Sequence, residues 1–554
     1  MKLIECVPNF SEGRETKVLD AISASVNSVK GVTLLDVDPG AETNRTVFTF
    51  VGTPEVVLEA AFQAIKKASE LIDMSKHHGT HARMGATDVC PFIPISEVSV
   101  EECVEYSKTL AKRVGEELNI PIYLYEHSAS KPEWSNLAEV RKGEYEALPA
   151  KMEDPNWKPD FGPHEFNAKS GATVVGVREF LIAYNINLNT RDKAKAHDIA
   201  LDIRERGRFA RDENNKFVRD ENGKKVKKPG IFKECKAVGW FIDEYDRAQI
   251  SINLTNFRIT PVHEVLEKVR ELALAKGIHV TGSELVGLTP KAALIDAGKF
   301  YLKRMGECAG IPERKIMETA VKSMGLDDLA EFDLDKKVIE YAIMPEDNLS
   351  NMTILDFIDE LSSDSPAPGG GSVAAVCSAM SGALSAMVSN LTVDKKGYDG
   401  VQTEARKYAE EGQRIKELSI AAIDEDTQAF YIMMDAMRLP KKSDADKASR
   451  VIAMEEATKN AILVPLKTLE ICWESVQLAE KVATIGNVNA LSDAGVAAIT
   501  ANAGAKSAYL NVIINMGSIS DKTFITNITQ QADTLCENID RLAISVEEDV
   551  LARL

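Results

Sequence analysis

The chain has 554 residues, a formal net charge of -19, and ordinary proportions of hydrophobic and charged residues at 44% and 27%. One hydrophobic core rarely grows to this length, so two or three domains are expected, and the composition excludes a disordered or fibrous protein. Nucleic-acid binding is not expected either, because the negative charge would repel a polyanion.

The cysteines and the apolar segments indicate in which cellular compartment the protein is expected. The eight cysteines show no CxxC spacing, which favours reduced thiols in a cytoplasmic protein over a zinc site or a disulfide framework. No secretory signal is predicted at the amino terminus. The uncharged stretch from Ser365 to Val393 is long enough to span a membrane, but its Ser, Gly and Ala content favours a buried helix without a membrane span.

The first half of the chain alternates strands and helices. Runs of β-branched and aromatic residues at 32–37 and 46–51 predict strands, and the apolar spacing over 54–72 predicts a helix. This unit is assigned to residues 1–180 as an α/β subdomain of α+β sandwich-like character.

A second subdomain of the same class is assigned to residues 181–340. A βαβ-like alternation is expected there, with the following elements: strand 180–188, helix 190–206, strand 247–258, helix 261–276 and strand 277–281. A charged, repetitive stretch at 211–228 interrupts this pattern, and Asn222-Gly223 predicts an exposed hairpin tip. Its lysines suggest an anion-binding loop, and a solvated surface insertion is the alternative.

The sequence pattern changes after residue 340, from alternating strands and helices to long helices. Residues 341–350 are read as a linker, and residues 351–554 as an all-α domain built as a bundle of long helices. Pro440 and Pro465 are the prolines expected to punctuate these helices.

All eight histidines lie in the first half, and three of them crowd into the loop at 77–85. A metal site is disfavoured, because Gly79 separates His77 from His81 and no neighbouring Glu offers a base. A histidine that titrates near neutrality can take a proton from an attacking amine and return it to a leaving one. The alternative is a group of ordinary surface histidines.

A second loop, at 160–172, combines turn formers with two aromatic residues and a basic residue. Phe166 offers a ring on which a flat heterocycle could stack, while backbone amides bond to its edge. A plain connection between the two α/β subdomains is the alternative.

No histidine occurs after residue 340, so acid–base catalysis there would have to use carboxylates, Tyr, Cys or a Lys with a perturbed pKa. Three consecutive acids, Asp424, Glu425 and Asp426, interrupt an otherwise amphipathic helix. Neighbouring positions on a helix point to different faces, so only some of these acids can share a pocket. A solvated helical face is the alternative.

Long collinear motifs carry a family resemblance. The stretches 5–13, 43–46 and 81–92 resemble glutamate formimidoyltransferase, and the stretches 367–375, 424–426 and 436–441 resemble formimidoyltetrahydrofolate cyclodeaminase. Their order is similar to that of the bifunctional formimidoyltransferase-cyclodeaminase family, and the resemblance covers nearly the whole chain.

The resemblance implies a two-step reaction. A formimino group passes from N-formimino-L-glutamate to tetrahydrofolate, which can carry a polyglutamate tail, and the product is cyclised to 5,10-methenyltetrahydrofolate with release of ammonia. It further implies folate held between two α/β subdomains, an all-helical cyclodeaminase half, a ring of dimers, and no metal cofactor. The alternatives are formyl transfer between glutamate and folate, and a non-enzymatic scaffold.

The resemblance also assigns residues. His81 corresponds to the family's catalytic acid–base, and the family's folate segment matches Gly162, Pro163, Gly171 and Ala172. From residue chemistry alone, further folate contacts are expected at His164, Phe166 and Lys169. Substrate carboxylates are expected at Asn44, Arg45 and Arg83, and the cyclodeaminase acid at Asp424 or Asp426.

Overall fold

The structure is a computed structural model that describes residues 2–41, 44–79, 82–214, 216–243, 245–343 and 348–554. The chain forms two compact units. The first unit contains residues 1–293 and 325–343, and the second contains residues 294–324 and 344–554. The helical unit therefore includes a segment that precedes residue 340 in the sequence.

The strands all lie in the first unit of the described chain. They are β1 (Leu3–Cys6), β2 (Asn9–Phe10), β3 (Thr33–Gly40), β4 (Arg45–Gly52), β5 (Thr87–Ser96), β6 (Ile122–Glu126), β7 (Thr173–Val177), β8 (Ile182–Leu188), β9 (Arg208–Phe209), β10 (Lys227–Lys228), β11 (Cys235–Ile242), β12 (Arg247–Leu254) and β13 (Val280–Val286).

The α-helices range from single turns to a helix of 42 residues. They are α1 (Thr16–Asn27), α2 (Pro54–Leu71), α3 (Val100–Leu118), α4 (Leu137–Val140), α5 (Leu148–Glu153), α6 (Lys193–Ile203), α7 (Val262–Leu274), α8 (Lys291–Met305), α9 (Glu313–Met324), α10 (Leu334–Lys337), α11 (Ile339–Ala342), α12 (Ile354–Leu361), α13 (Gly370–Asn390), α14 (Gln402–Arg438), α15 (Asp444–Ile485), α16 (Leu491–Asn515) and α17 (Lys522–Arg553).

The first sheet is built around a strand that is interrupted at Val7 and Pro8. Its two parts, β1 and β2, lie between β4 and β5 and are antiparallel to both. β3 pairs antiparallel with β4, while β7 and β6 extend the other edge in parallel. The strands predicted at 32–37 and 46–51 and the helix predicted at 54–72 are confirmed as β3, β4 and α2.

The second sheet has the order β11-β12-β8-β13, and every neighbouring pair in it is antiparallel. With α6 and α7 in between, this is a split βαβ arrangement, and the first sheet repeats it from β1 to β5. The predicted βαβ-like alternation is confirmed as β8, α6, β12, α7 and β13. Each helical crossover skips a strand, so the strands that it joins are not hydrogen-bonded neighbours.

The strand β11 was not predicted from the sequence, and it carries Gly239 near its centre. A Cβ atom at Gly239 would lie 2.1 Å from the backbone nitrogen of His197 in α6. The glycine therefore lets α6 pack directly on the strand, although glycine in isolation weakens a strand pattern.

The period of two along each strand sorts the side chains of the first sheet. Cys6, Phe48 and Phe92 belong to the apolar core beneath α1, α2 and α3. Val47 and Pro91, at alternate positions, face the other way and line a cavity. Successive side chains of a strand point to opposite faces, so the face opposite this core can contribute side chains to a site.

The charged stretch at 211–228 forms a ladder of short pairings. β9 and β10 are antiparallel, and isolated bridges join Arg211 to Phe217 and Arg219 to Lys225. The predicted tip is confirmed, because Gly223 has a φ of +73° and its backbone nitrogen donates to the carbonyl oxygen of Asp220 at 2.9 Å. Its anion-binding role stays a prediction.

The second unit is the predicted bundle of long helices. Its central helix, α13, packs against α14, α15 and α16. Buried serines join these helices: Ser419 donates to Ser378 at 2.8 Å, and Ser381 donates to the carbonyl oxygen of Ala497 at 2.7 Å. By length and composition alone, α13 could also cross a membrane, but its apolar window is 56% buried and core helices pass the same test.

Two prolines were expected to punctuate these helices. This is confirmed for Pro440, which falls in the connection between α14 and α15, whereas Pro465 is accommodated inside α15. α14 continues through the three acids at 424–426 without a break. The capping box formed by Ser443 and Asp446 fixes the start of α15 instead.

α13 and α14 approach so closely that glycine is required at their contact. A Cβ atom at Gly412 would lie 2.7 Å from the backbone nitrogen of Ala386 and 2.7 Å from the carbonyl oxygen of Gly382. Gly400 lies in the turn before α14, and a Cβ atom there would meet no heavy atom within 4 Å. Gly400 therefore provides a matched control.

Gly412→Ala is expected to destabilise the helical unit by about 1–3 kcal/mol through overpacking, although alanine favours a helix by about 1 kcal/mol. Thermal unfolding followed by circular dichroism would show a lower midpoint for Gly412→Ala and an unchanged one for Gly400→Ala. A gain in stability at position 412 would contradict the observed packing.

Glu5 is a carboxyl group buried in the first sheet, at 6% exposure. Burial raises the pKa of Glu5 to about 7, against the opposing effect of the nearby Arg178. Between its ordinary pKa of 4.5 and 7, the folded protein keeps a proton that the unfolded chain releases. Stability supplied by this proton is present at low pH and is lost as pH rises through that window.

Glu5→Gln removes this dependence. The unfolding free energy of Glu5→Gln minus that of the parent should be about 2 kcal/mol more positive at about pH 8 than at about pH 5.5, because only the parent loses stability over this range. Denaturant midpoints for the two proteins at both pH values would measure it. Parallel pH profiles would show that Glu5 is ionised throughout this range.

Candidate active sites

A cavity of about 770 Å³ in the first unit is lined by both of its sheets. The first sheet contributes the free ends and faces of β2, β4, β5, β6 and β7, and the second contributes residues around β11 and β12. The polar side chains in its wall are Asn9, Arg45, Glu126, His127, Ser135, Asn136, Arg141, Arg178, Glu179, Glu234, Lys236, Thr255 and Asn256.

The first-sheet wall of this cavity is cationic, with Arg45, Arg141 and Arg178. Burial lowers the pKa of Arg45 to about 10, which still leaves it charged at neutral pH. Burial raises the pKa of Glu126, an acid in the same cavity wall. The guanidinium groups suit a substrate that carries carboxylates.

His81, the predicted acid–base, lies outside the described residues, and its role stays a prediction. The described residues on either side of it are held by hydrogen bonds. His77 is buried; its Nδ1 atom accepts from Nε of Arg83 at 3.4 Å, and its Nε2 atom lies 2.9 Å from the carbonyl oxygen of Asn44. This pairing assigns a neutral ring that donates from Nε2, and burial lowers the pKa of His77 accordingly.

Arg83 and Asn44 were expected to meet substrate carboxylates; the structure gives both side chains protein partners, and the expected contacts stay a prediction. Arg83 pairs with Glu144 at 2.8 Å and with Glu146 at 2.6 Å. Asn44 accepts from the backbone nitrogen of Gly13 at 3.0 Å and donates to the carbonyl oxygen of His78 at 3.1 Å. Both side chains therefore hold the histidine loop in place.

Arg45 is the member of this predicted group that lines the cavity. Its Nη2 atom donates to Oδ1 of Asn9, which lies in the neighbouring strand of the same sheet. A role in binding a substrate carboxylate is compatible with this position and stays a prediction.

The structure brings the predicted folate segment next to the histidine loop. The backbone nitrogen of Ala172 donates to the carbonyl oxygen of Met84 at 3.1 Å, and that of Ala86 donates to the carbonyl oxygen of Ser170 at 2.8 Å. Gly171, at a φ of +66°, allows this contact, because a Cβ atom there would lie 2.2 Å from the carbonyl oxygen of Met84. Two motifs separated by about 80 residues in the sequence thus meet.

The other predicted folate-binding residues of this segment lie near the protein surface. Gly162 packs against the carbonyl oxygen of Ile120, and Pro163 and His164 are half-buried beside it. Phe166 is 37% exposed, with its ring centroid 5.6 Å from that of Tyr145, and Lys169 donates to the carbonyl oxygen of Glu70 at 2.8 Å. No residue from 160 to 172 lines the cavity described above, so folate binding by this segment stays a prediction.

Sequence reasoning missed Arg141, Arg178 and Lys236. Arg178 had a usable signal, because it directly follows β7, just as His127 follows β6. These strands are parallel neighbours, so their carboxyl ends meet at one edge, where ligands commonly bind. Arg141 and Lys236 carry no comparable signal in the sequence.

In the second unit, Asp426 lies at the amino-terminal end of α13. Ser372 donates to its Oδ2 atom at 3.0 Å, and a Cβ atom at Gly371 would lie 2.0 Å from its Oδ1 atom. Burial raises the pKa of Asp426, and the Ser372 hydrogen bond opposes that effect. A carboxyl group that keeps its proton more readily can act as a general acid.

The other two acids point elsewhere. Asp424 accepts a long hydrogen bond of 3.3 Å from the backbone nitrogen of Ser350, and Glu425 forms an ion pair with Lys467 at 2.9 Å. Asp424 and Asp426 therefore do not share a site through these contacts. The geometry favours Asp426 of the two predicted acids.

Two further features of the described residues do not supply a site. A hollow of about 500 Å³ between α15 and α17 is lined by Glu470 and by amide, hydroxyl and apolar side chains, away from 424–426. No group of three or more His, Cys, Asp or Glu side chains in the described part of the chain is arranged to hold a metal ion.

Comparisons with known proteins cover the whole chain. Residues 3–178 match the family model for the formiminotransferase domain, N-terminal subdomain; residues 183–344 match that for the formiminotransferase domain; and residues 353–534 match that for formiminotransferase-cyclodeaminase. The chain is 42% identical to formimidoyltransferase-cyclodeaminase of Mus musculus over 543 residues, which is 96% of this chain and 97% of the mouse protein.

Two further relatives each correspond to one half. Glutamate formimidoyltransferase of Streptococcus pyogenes serotype M1 is 45% identical over 302 residues, 54% of this chain and 94% of that protein. Methenyltetrahydrofolate cyclohydrolase of Methylorubrum extorquens is 39% identical over 204 residues, 37% of this chain and 98% of that protein. From the full-length match and the three consecutive family models, this chain belongs to the formiminotransferase-cyclodeaminase family.

Proposed function

We propose that this protein is a bifunctional folate enzyme. It transfers the formimino group of N-formimino-L-glutamate to tetrahydrofolate, giving glutamate and 5-formiminotetrahydrofolate. It then cyclises this product to 5,10-methenyltetrahydrofolate and releases ammonia. The observation that carries the proposal is the collinear match of both halves to a relative named for both activities, at 42% identity over 97% of its length.

In the transfer step, His81 takes the proton from N5 of tetrahydrofolate as N5 attacks the formimino carbon. A new bond joins N5 to that carbon, and the bond from the carbon to the glutamate nitrogen breaks as His81 returns the proton to that nitrogen. Two observations support this role: the segments on either side of His81 are hydrogen-bonded in place, and Met84 and Ala86 contact the predicted folate segment.

In the cyclisation step, N10 of the folate attacks the same carbon within one molecule. Positioning therefore supplies much of the rate, and the protein mainly has to protonate the departing ammonia. Asp426 is the proposed acid, because burial raises its pKa and Gly371, which lacks a side chain, makes room for its carboxyl group. Asp424 stays the second candidate.

One relative favours a second candidate for the helical half. The match to a protein named methenyltetrahydrofolate cyclohydrolase covers 98% of that protein, so the same bundle could add water to the methenyl group. Release of ammonia from 5-formiminotetrahydrofolate identifies the cyclodeaminase, and loss of methenyl absorbance identifies the cyclohydrolase. Assaying N-formyl-L-glutamate beside the formimino donor separates formimino from formyl transfer.

The cellular setting is part of the proposal. A cytoplasmic location fits eight cysteines that are all free thiols. Homo-oligomeric assembly follows from the resemblance to a family that forms a ring of dimers, and light scattering on the purified chain would test it. Both steps are proposed to need tetrahydrofolate as co-substrate and no metal.

His81→Ala is expected to lower the transfer rate by a factor of about 100 or more, because general acid–base catalysis typically contributes this much. Cyclisation of supplied 5-formiminotetrahydrofolate should be unchanged. His78→Ala is the matched control, since this neighbouring side chain is exposed, and it should retain both rates. Equal loss of both activities in His81→Ala would refute the assignment.

Asp426→Asn is expected to slow ammonia release by about 100-fold and to spare the transfer step, because the amide cannot donate a carboxyl proton. Glu425→Gln, on the same helix but paired with Lys467, should keep the parent rate. If Asp426→Asn cyclises normally and Asp424→Asn does not, the acid is Asp424.

A further inference from the structure

Asp88 is a fully buried carboxylate in β5 with three donors around it. Its Oδ1 atom accepts from the backbone nitrogen of Met84 at 2.9 Å and from Nε of Arg141 at 3.3 Å. Its Oδ2 atom accepts from Nη2 of Arg141. Two parallel donors from one guanidinium fix the plane of Arg141 as well as its position.

Arg141 ends the short helix α4, and its side chain is 14% exposed in the wall of the cavity. Because Asp88 occupies the Nε and Nη2 edge, the Nη1 edge of the guanidinium remains for a ligand. Arg45 lines the same wall, and Asp88 and Arg141 both act electrostatically on its pKa.

Arg45 and Arg141 bring two guanidinium groups to this part of the wall, beside the buried carboxylate of Asp88. A ligand carboxylate can pair with the remaining edge of the Arg141 guanidinium in a strong, directional contact. Neither Arg141 nor Asp88 was assigned a role in binding from the sequence or from the comparisons.

We infer that Arg141, oriented by Asp88, binds a carboxylate of the formimino donor. This inference rests on the proposed transferase function. It identifies Arg141 as a substrate-binding residue and Asp88 as the residue that positions it.

The chemistry of the two substrates favours the donor over the folate. In N-formimino-L-glutamate, the nitrogen that leaves is bonded to the carbon that carries the α-carboxylate. In tetrahydrofolate, the glutamyl carboxylates are separated from N5 by the whole aminobenzoyl group. Asp88 also accepts from the backbone nitrogen of Met84, which belongs to the same sequence motif as His81, the proposed acid–base.

The test is steady-state kinetics of Arg141→Lys, with both substrates varied. Lysine keeps the charge but loses the planar fork, so KM for formiminoglutamate should rise by about tenfold to a hundredfold, in line with a lost charged hydrogen bond. KM for tetrahydrofolate and kcat should stay within about twofold of the parent. Arg113→Lys is the matched control, because Arg113 on α3 pairs with Glu59 and Glu117, away from the cavity, and its KM values should not move.

A second variant separates a loss of binding from a loss of folding, because Arg141→Lys leaves Asp88 buried with a weaker partner. Asp88→Asn combined with Arg141→Met removes both charges together, which a buried pair tolerates better than loss of one partner. L-Glutamate, the product, should raise the unfolding midpoint of the parent and of Arg113→Lys but not that of the double variant.

The outcomes separate the two proposals. A parent protein that does not use formiminoglutamate would overturn the proposed function itself. A parent that is active, with an unchanged donor KM in Arg141→Lys and glutamate protection retained in the double variant, would overturn the inference alone. A rise confined to KM for tetrahydrofolate would also overturn it, by assigning Arg141 to the folate.

Discussion

The site in the first unit depends on the two-residue period of the β-strands. The strand positions that place Phe48 and Phe92 in the core also place Val47 and Pro91 on the opposite face. The helices α1, α2 and α3 cover one side of the first sheet, while α4 and α5 pack against the other side at β5, β6 and β7. The cavity is also on that second side and is a consequence of how a β-sheet presents alternate side chains to its two faces.

Charged groups in such a cavity are tolerated only where they have partners. Asp88 is fully buried, and it accepts from Arg141 and from a backbone nitrogen. Arg83, also nearly buried, is satisfied by Glu144 and Glu146. The two arginines differ in position, because Arg141 lines the cavity, whereas Arg83 is paired with two glutamates outside its lining. Their chemistry is identical, and their surroundings decide their roles.

In the proposed reactions, the two halves handle protons with different groups. The first unit contains all the histidines, which titrate near neutrality without special surroundings. The helical unit has none, and a carboxyl group there needs a raised pKa to donate a proton to ammonia. Burial raises the pKa of Asp426, which lies against Gly371 at the start of α13. A side chain at Gly371 would collide with this carboxyl group, so the glycine makes room for it.

The sequence by itself determined the order of the two halves, the helices α2, α6 and α7, the helical character of the second half, the strands with strong apolar patterns, and the family motifs, because these depend on neighbouring residues. It did not determine strand pairing, so the split order of the strands within each sheet came only from the tertiary structure. The same holds for Arg83, whose partners lie about 60 residues away, and for Arg141, which meets Asp88 across 53 residues. Local patterns record propensity and periodicity, whereas the meeting of distant charges is decided when the sheet and its loops close on one another.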